Sequence, residues 1–194
     1  MSVRGYRFGA GIVLSVIALL LATLGRSWLE ETMQRHMLLH VPLLFFAGVA
    51  LAHDTRRRAP TAWNAHGVAG LLFATGVLMT WMVPRALDAA VEQPLVDVSK
   101  AALLFAAGAL GHLSWRRASV LVQSFVLGNG AWMTASIGLM LIDSPDRLCA
   151  NYGAGDQRSS GVALITVTIG VMLLFAVRQV YPSALRRSVP SPVS

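Results

Sequence analysis

The stretch RHMLLHVPLLFFAG (Arg35–Gly48) decides how this chain is read. It begins with two histidines four residues apart, His36 and His40, and runs on as uninterrupted apolar sequence. A bilayer core needs about 20 mainly apolar residues per helix, and ionisable side chains inside such a helix are costly. The segment therefore predicts a membrane span that carries two imidazoles for a reason. At about 100° per residue, positions four apart share a helix face. His36 and His40 should project together near one end of the span.

The rest of the chain agrees with a bilayer setting. Of its 194 residues, 55% are hydrophobic and only 13% charged, and the mean hydropathy is +0.61. Soluble domains average about 25% charged residues. Six apolar runs are spaced along the chain at Phe8–Gly25, Met37–His53, Trp63–Val83, Ala101–Trp115, Val120–Ile142 and Gly161–Val180. The first is longer than the apolar core of a signal peptide, about 7–15 residues, and Arg26-Ser27-Trp28 makes a poor cleavage site. It reads as a retained span. The fourth run is the shortest. The expected fold is all-α: a polytopic bundle of six transmembrane helices over residues 1–182, with a disordered tail at 183–194.

The net charge of +7 and a pI near 11.0 do not point to nucleic acid, because the arginines cluster between apolar runs. Arg4, Arg7, Arg56–Arg58, Arg116, Arg117, Arg178, Arg186 and Arg187 fall on one side of the membrane. That is ten of the 16 basic residues. An excess of Lys and Arg marks the cytoplasmic side, so both termini are expected there. Eight of the nine acids then face outward. The expected location is the bacterial inner membrane.

Soft and imidazole donors gather at the outer ends of these spans. His36 and His40 share a face. Met33 and Met37 form a neighbouring stripe, Met79 and Met82 close the third run, and Met133 and Met140 lie in the fifth. The third outer loop adds Cys149, Tyr152, Asp156 and Gln157. Thioether, thiolate and imidazole together select copper(I), while imidazole pairs also suit zinc or copper(II). Each donor also has a plain structural use. Methionine fills gaps in cores, and DQRSSG (Asp156–Gly161) reads as a helix start with Ser159 or Ser160 as cap. His53, His66 and His112 lie near the cytoplasmic ends, where two facing imidazoles could ligate haem iron. No phosphate loop, nucleophile elbow or His-Glu metalloprotease motif is present, so no enzyme is expected. A transporter would more typically show broken helices at mid-bilayer, and only the GNG at 128–130 hints at one.

QRHMLLHVPLLFFAG (Gln34–Gly48) resembles the second span of the cytochrome c oxidase assembly factor CtaG family. DQRSSGVALITVTIG (Asp156–Gly170) is similar to that family's Asp-Gln opening of a late span. The resemblance implies a non-enzymatic bacterial membrane protein that serves copper delivery to a haem–copper oxidase. Its partners would be the bilayer, an oxidase subunit or a copper chaperone. The matching positions are His36, Met37, His40, Asp156 and Gln157. Taking the donor pattern and the resemblance together, the expected metal ligands are His36, His40, Met37, Met33, Met79, Met82 and Asp156. Two departures stand out: Lys100 sits where the family's middle histidine pair is expected, and a cation there would repel copper. Span six also lacks a methionine just after Asp-Gln. The alternative expectation is a non-catalytic subunit of a haem–copper oxidase or nitric oxide reductase, with structural histidines or haem b.

Overall fold

Two X-Pro steps divide the middle of the chain. The residue before a proline is pushed out of the helical region, and Val83 (φ −70°, ψ 126°) and Gln93 (φ −117°, ψ 113°) are both extended. Between them the short helix α6 (Pro84–Glu92) is cut out of what would otherwise be continuous helix. The computed structural model describes residues 4–54 and 63–187. In chain order the other helices are α1 (Arg4–Leu24), α2 (Arg26–Leu29), α3 (Met33–Arg35), α4 (Val41–Asp54), α5 (Val68–Met82), α7 (Pro94–Trp115), α8 (Val120–Asp143) and α9 (Ala154–Arg187). A π-helical turn, His36–His40, joins α3 to α4. The described residues contain no strand.

The protein is thus an all-helical, multi-pass membrane protein. Among the described residues, four stretches are long and apolar enough to cross a bilayer: Met33–His53, Pro94–Trp115, Val120–Asp143 and Ala154–Gln179. The pair α5–α6, bent by 76°, makes a fifth if it is one span. The apolar part of α1, Gly9–Leu24, is shorter. The fourth apolar run is longer than expected. Its helix starts at Pro94, because Asp97 and Lys100 lie inside the helix and pair with each other at 2.9 Å. Helix α9 continues to Arg187, into the segment read as tail, and residues 188–194 lie outside the described residues. So does the Arg56–Arg58 loop.

Small residues set the helix contacts, as packing in lipid requires. α4 lies on α1 and α7, α7 on α5, and α8 on α9. At the α4–α7 crossing a Cβ on Gly48 would collide with the Phe105 carbonyl, and one on Gly108 with the Phe45 carbonyl. The two backbones therefore touch. At the α5–α7 crossing, Gly67 takes φ 74° beneath the Ser114 carbonyl. Asn64 Nδ2 donates to Ser114 Oγ at 2.8 Å. Gly138 and Gly161 bring α8 and α9 together. Gly76, Gly128, Gly130 and Gly170 have open space where a Cβ would go.

These contacts predict a graded effect of adding side chains. Gly108→Val should destabilise the detergent-solubilised protein by about 1–3 kcal/mol, the range for overpacking a close contact. Gly76→Ala should leave stability unchanged or raise it by up to about 1 kcal/mol through helix propensity. Thermal unfolding followed by circular dichroism distinguishes the two.

Candidate functional site

Three connectors meet at one end of the bundle: residues 25–32, the α5–α6–α7 corner, and residues 144–153. The first is a broken helix. The chain leaves α1 at Gly25, makes one turn as α2, and restarts at Thr32, whose side chain accepts from Arg35 N as an N-cap. Asp156 of α9 takes the other free amide, accepting from Met33 N at 2.6 Å. Beyond α3 the helix widens. The Val41 N–H bonds to the His36 carbonyl, five residues back, just ahead of Pro42, which has no N–H to give. Such π-turns recur at functional sites. This one holds the two imidazoles with ring centroids 5.4 Å apart and planes tilted by 37°.

Both rings are buried, and what they face is charged. Lys100 reaches the same point from the second turn of α7 and is fully buried. Its Nζ lies 3.0 Å from Glu30 Oε1, 2.9 Å from Asp97 Oδ1 and 2.9 Å from His36 Nε2. An ammonium has three protons and no acceptor, so all three are used. Because Lys100 can only donate, His36 Nε2 accepts, and the ring proton sits on Nδ1. Nδ1 donates to Tyr152 Oη at 2.9 Å, and the tyrosine donates onward to the Glu30 carbonyl at 3.2 Å. Arg26 closes the cluster. It pairs with Glu30 Oε2 at 2.8 Å and Asp97 Oδ2 at 3.0 Å. Two cations and two carboxylates balance.

His40 is held differently. Its Nδ1 lies 3.2 Å from Glu30 Oε1, but off the direction of a hydrogen bond, and the buried nitrogen has no partner. One ligand atom each from Glu30, His36 and His40 lies within 4.8 Å of the others. Carboxylate and imidazole at that spacing can hold a metal ion.

The groups at this end of the bundle are electrostatically tuned. Burial pushes the Glu30 carboxyl upward, but His40, Arg26 and Lys100 around it win and hold it well below the usual carboxylate range. The bond to Glu30, opposed by burial, raises the Arg26 guanidinium. Burial, with Asp88 nearby, pushes the Cys149 thiol up to about 12. Burial and then Glu30 raise the Tyr152 phenol. Cys149 is therefore no ready thiolate.

The expected ligands do not all come together. His36 and His40 meet as expected. Met37, Met79 and Met82 line a different place, an apolar cavity of about 340 Å³ between α4, α5, α8 and α9 that also takes Met133 and Met172. The Thr134 hydroxyl donates to Met82 Sδ there at 3.6 Å. Met33 is buried. Asp156 serves as a cap for α3, with its backbone carbonyl taken by Ser159 and Ser160. Gln157 accepts from Leu148 N and donates to the Leu141 carbonyl, pinning the third connector. Sequence reading placed Glu30, Asp97 and Arg26 in solvated outer loops and missed them as members of the site. The i,i+3 spacing of Asp97 and Lys100 was the available signal.

At the other end, His53 and His112 bring their ring centroids within 5.8 Å, while His66 is exposed in the turn before α5. A porphyrin between the two rings would have to part helices that touch backbone to backbone at Gly48 and Gly108. These residues do not fit haem. Compared with known protein families, curated proteins and solved structures, the chain matches none.

The charge network predicts an acid-sensitive fold. A carboxyl held below its ordinary value of about 4.3 stabilises the folded state above that pH. It loses this contribution as pH falls toward the lower folded value. Stability should therefore drop progressively below about pH 5. Glu30→Gln strips a partner from the buried Lys100 ammonium and should cost about 3–5 kcal/mol at pH 7. The gap to the unaltered protein should narrow by pH 3. Unfolding midpoints across that range test both statements.

Proposed function

We propose that this chain holds copper at the outer face of a bacterial cell membrane for delivery to a haem–copper oxidase, as a binding protein without turnover. In this reading α1 is a sixth span and both termini are cytoplasmic. The observation that carries it is the buried convergence of Glu30, His36 and His40, whose ligand atoms lie within 4.8 Å of one another at an end of a span. The copper and oxidase assignment rests on the resemblance in Gln34–Gly48 and Asp156–Gly170. Two imidazoles and a carboxylate accept copper(II) or zinc. Copper(I) would call on a thioether, and Met33 is buried just ahead of His36.

Lys100 is the competitor in this site. Its ammonium lies within hydrogen-bond distance of two of the three ligand residues, so metal and Lys100 cannot share it. Metal entry requires Lys100 to fall back on Asp97, which it already contacts. The site is then self-filled when empty of metal, and its affinity is moderated, which suits a carrier that must release its cargo.

Purified protein loaded with copper(I) and washed should retain stoichiometric copper by elemental analysis. The double variant His36→Ala/His40→Ala should lose it. Lys100→Met removes the competitor while Arg26 still pairs with both carboxylates. It should tighten binding about tenfold or more, or at least 1.4 kcal/mol. No retained copper in the unaltered protein, or full retention in the double variant, would sink the proposal.

A further inference from the structure

Helix α8 is the least enclosed of the long spans. Only 11% of its apolar window is buried inside the molecule. Its inner face borders the methionine cavity through Val126, Gly130, Met133 and Thr134. The opposite face carries Phe125, Asn129, Trp132 and Ser136, at spacings of four, three and four, which is one helical stripe. All four are exposed, Trp132 by 72%.

Two features of that stripe do not suit lipid. Asn129 and Trp132 are the tenth and thirteenth of the 24 residues of α8, so both lie near the middle of the span. Membrane tryptophans ordinarily sit at the interfaces, where the indole N–H reaches water. Among the described residues neither the Asn129 carboxamide nor the Trp132 N–H has a hydrogen-bond partner. Hydrocarbon offers none. Ser136, by contrast, is satisfied by the Trp132 carbonyl at 2.8 Å. Beside them, Gly128 has nothing within 4 Å of where a Cβ would be. This glycine serves no contact within the chain, yet it lets a foreign backbone come close.

We infer that this face is where a second copy of the chain docks, α8 against α8, with the two Asn129 carboxamides bonded to each other. A carboxamide is its own complement, donor on one side and acceptor on the other. The depth also matches. Two copies of one sequence insert with the same orientation, so a two-fold axis along the membrane normal brings Asn129 opposite Asn129 at equal depth. A self-complementary patch of this kind is what an isologous dimer uses. The inference is independent of any metal.

Co-reconstitution of donor- and acceptor-tagged full-length chains in phosphatidylcholine vesicles tests it. Energy transfer should appear and should fall on dilution with untagged protein. Asn129→Leu, a lipid-facing change, should weaken association about tenfold or more, while Asn129→Gln should stay within about threefold. Oxidation should cross-link Ser136→Cys to its own counterpart, and should not cross-link Met133→Cys, which faces the cavity. A monomer in vesicles overturns the inference, and so does Asn129→Leu associating as well as the unaltered chain. Binding of a different membrane protein through this face, with no self-association, overturns it too.

Discussion

The structure depends on the burial of one ammonium group. Lys100 Nζ is removed from both water and lipid, and its three acceptors come from three places: Glu30 in the first connector, His36 in the π-turn, and Asp97 on its own helix. Leaving such a charge unpaired in a low-dielectric site is strongly unfavourable. The acceptors must therefore arrive together, and the chain is shaped to bring them. Gly25 breaks the first helix so that Glu30 can turn inward. The π-turn adds width beneath Pro42. Pro94 starts α7 early enough to present Asp97 and Lys100 on one face, with Asp97 in the first turn, where the helix dipole favours a carboxylate. Arg26 bridges both carboxylates and fixes their spacing.

The two ends of the bundle are held by different physics. The half away from the site is packed backbone on backbone through Gly48, Gly108 and Gly67, with Gly70 seated against the Ser114 hydroxyl, and dispersion at close approach replaces the missing hydrophobic drive between helices in lipid. The end that bears the site is held by charge-assisted hydrogen bonds, about twice as strong as neutral ones. This division locates the adjustable chemistry. A glycine contact has one arrangement. A lysine on a flexible stem, with Asp97 to fall back on, has at least two.

The helical class and most spans were legible because hydropathy and helical period are local properties. So was the pairing of His36 with His40. The rest depended on contacts remote in sequence. Glu30 sits in an acidic connector and reads as a solvated charge, yet it meets a lysine 70 residues away. From sequence alone Lys100 reads as an obstacle that would repel a cation. Its acceptors in the first connector and the π-turn lie too far away to be read from the sequence around it. The methionines were grouped with the histidines because span ends coincide in depth. Depth says nothing about azimuth, and the thioethers of Met37, Met79 and Met82 turn instead toward the cavity. Asp156 carried both a family resemblance and a capping pattern, and its carboxylate is engaged by a helix N-terminus.

That last contact gives Asp156 an influence on the imidazoles that needs no ligation. α9 meets α3 at the end that bears the site, where Asp156 holds the Met33 amide and Tyr152 holds His36. Deeper in, the methionine cavity separates the α8–α9 pair from α4, while α8 still packs on α5. The hairpin is thus anchored to the α4 span chiefly at the end that bears the site. Releasing the Met33 amide would free the first turn of α3, and the π-turn follows it without a break. The orientation of His36 and the docking of α9 are two readings of one constraint. A change in either should be felt by the other through the three residues of α3 between Thr32 and His36.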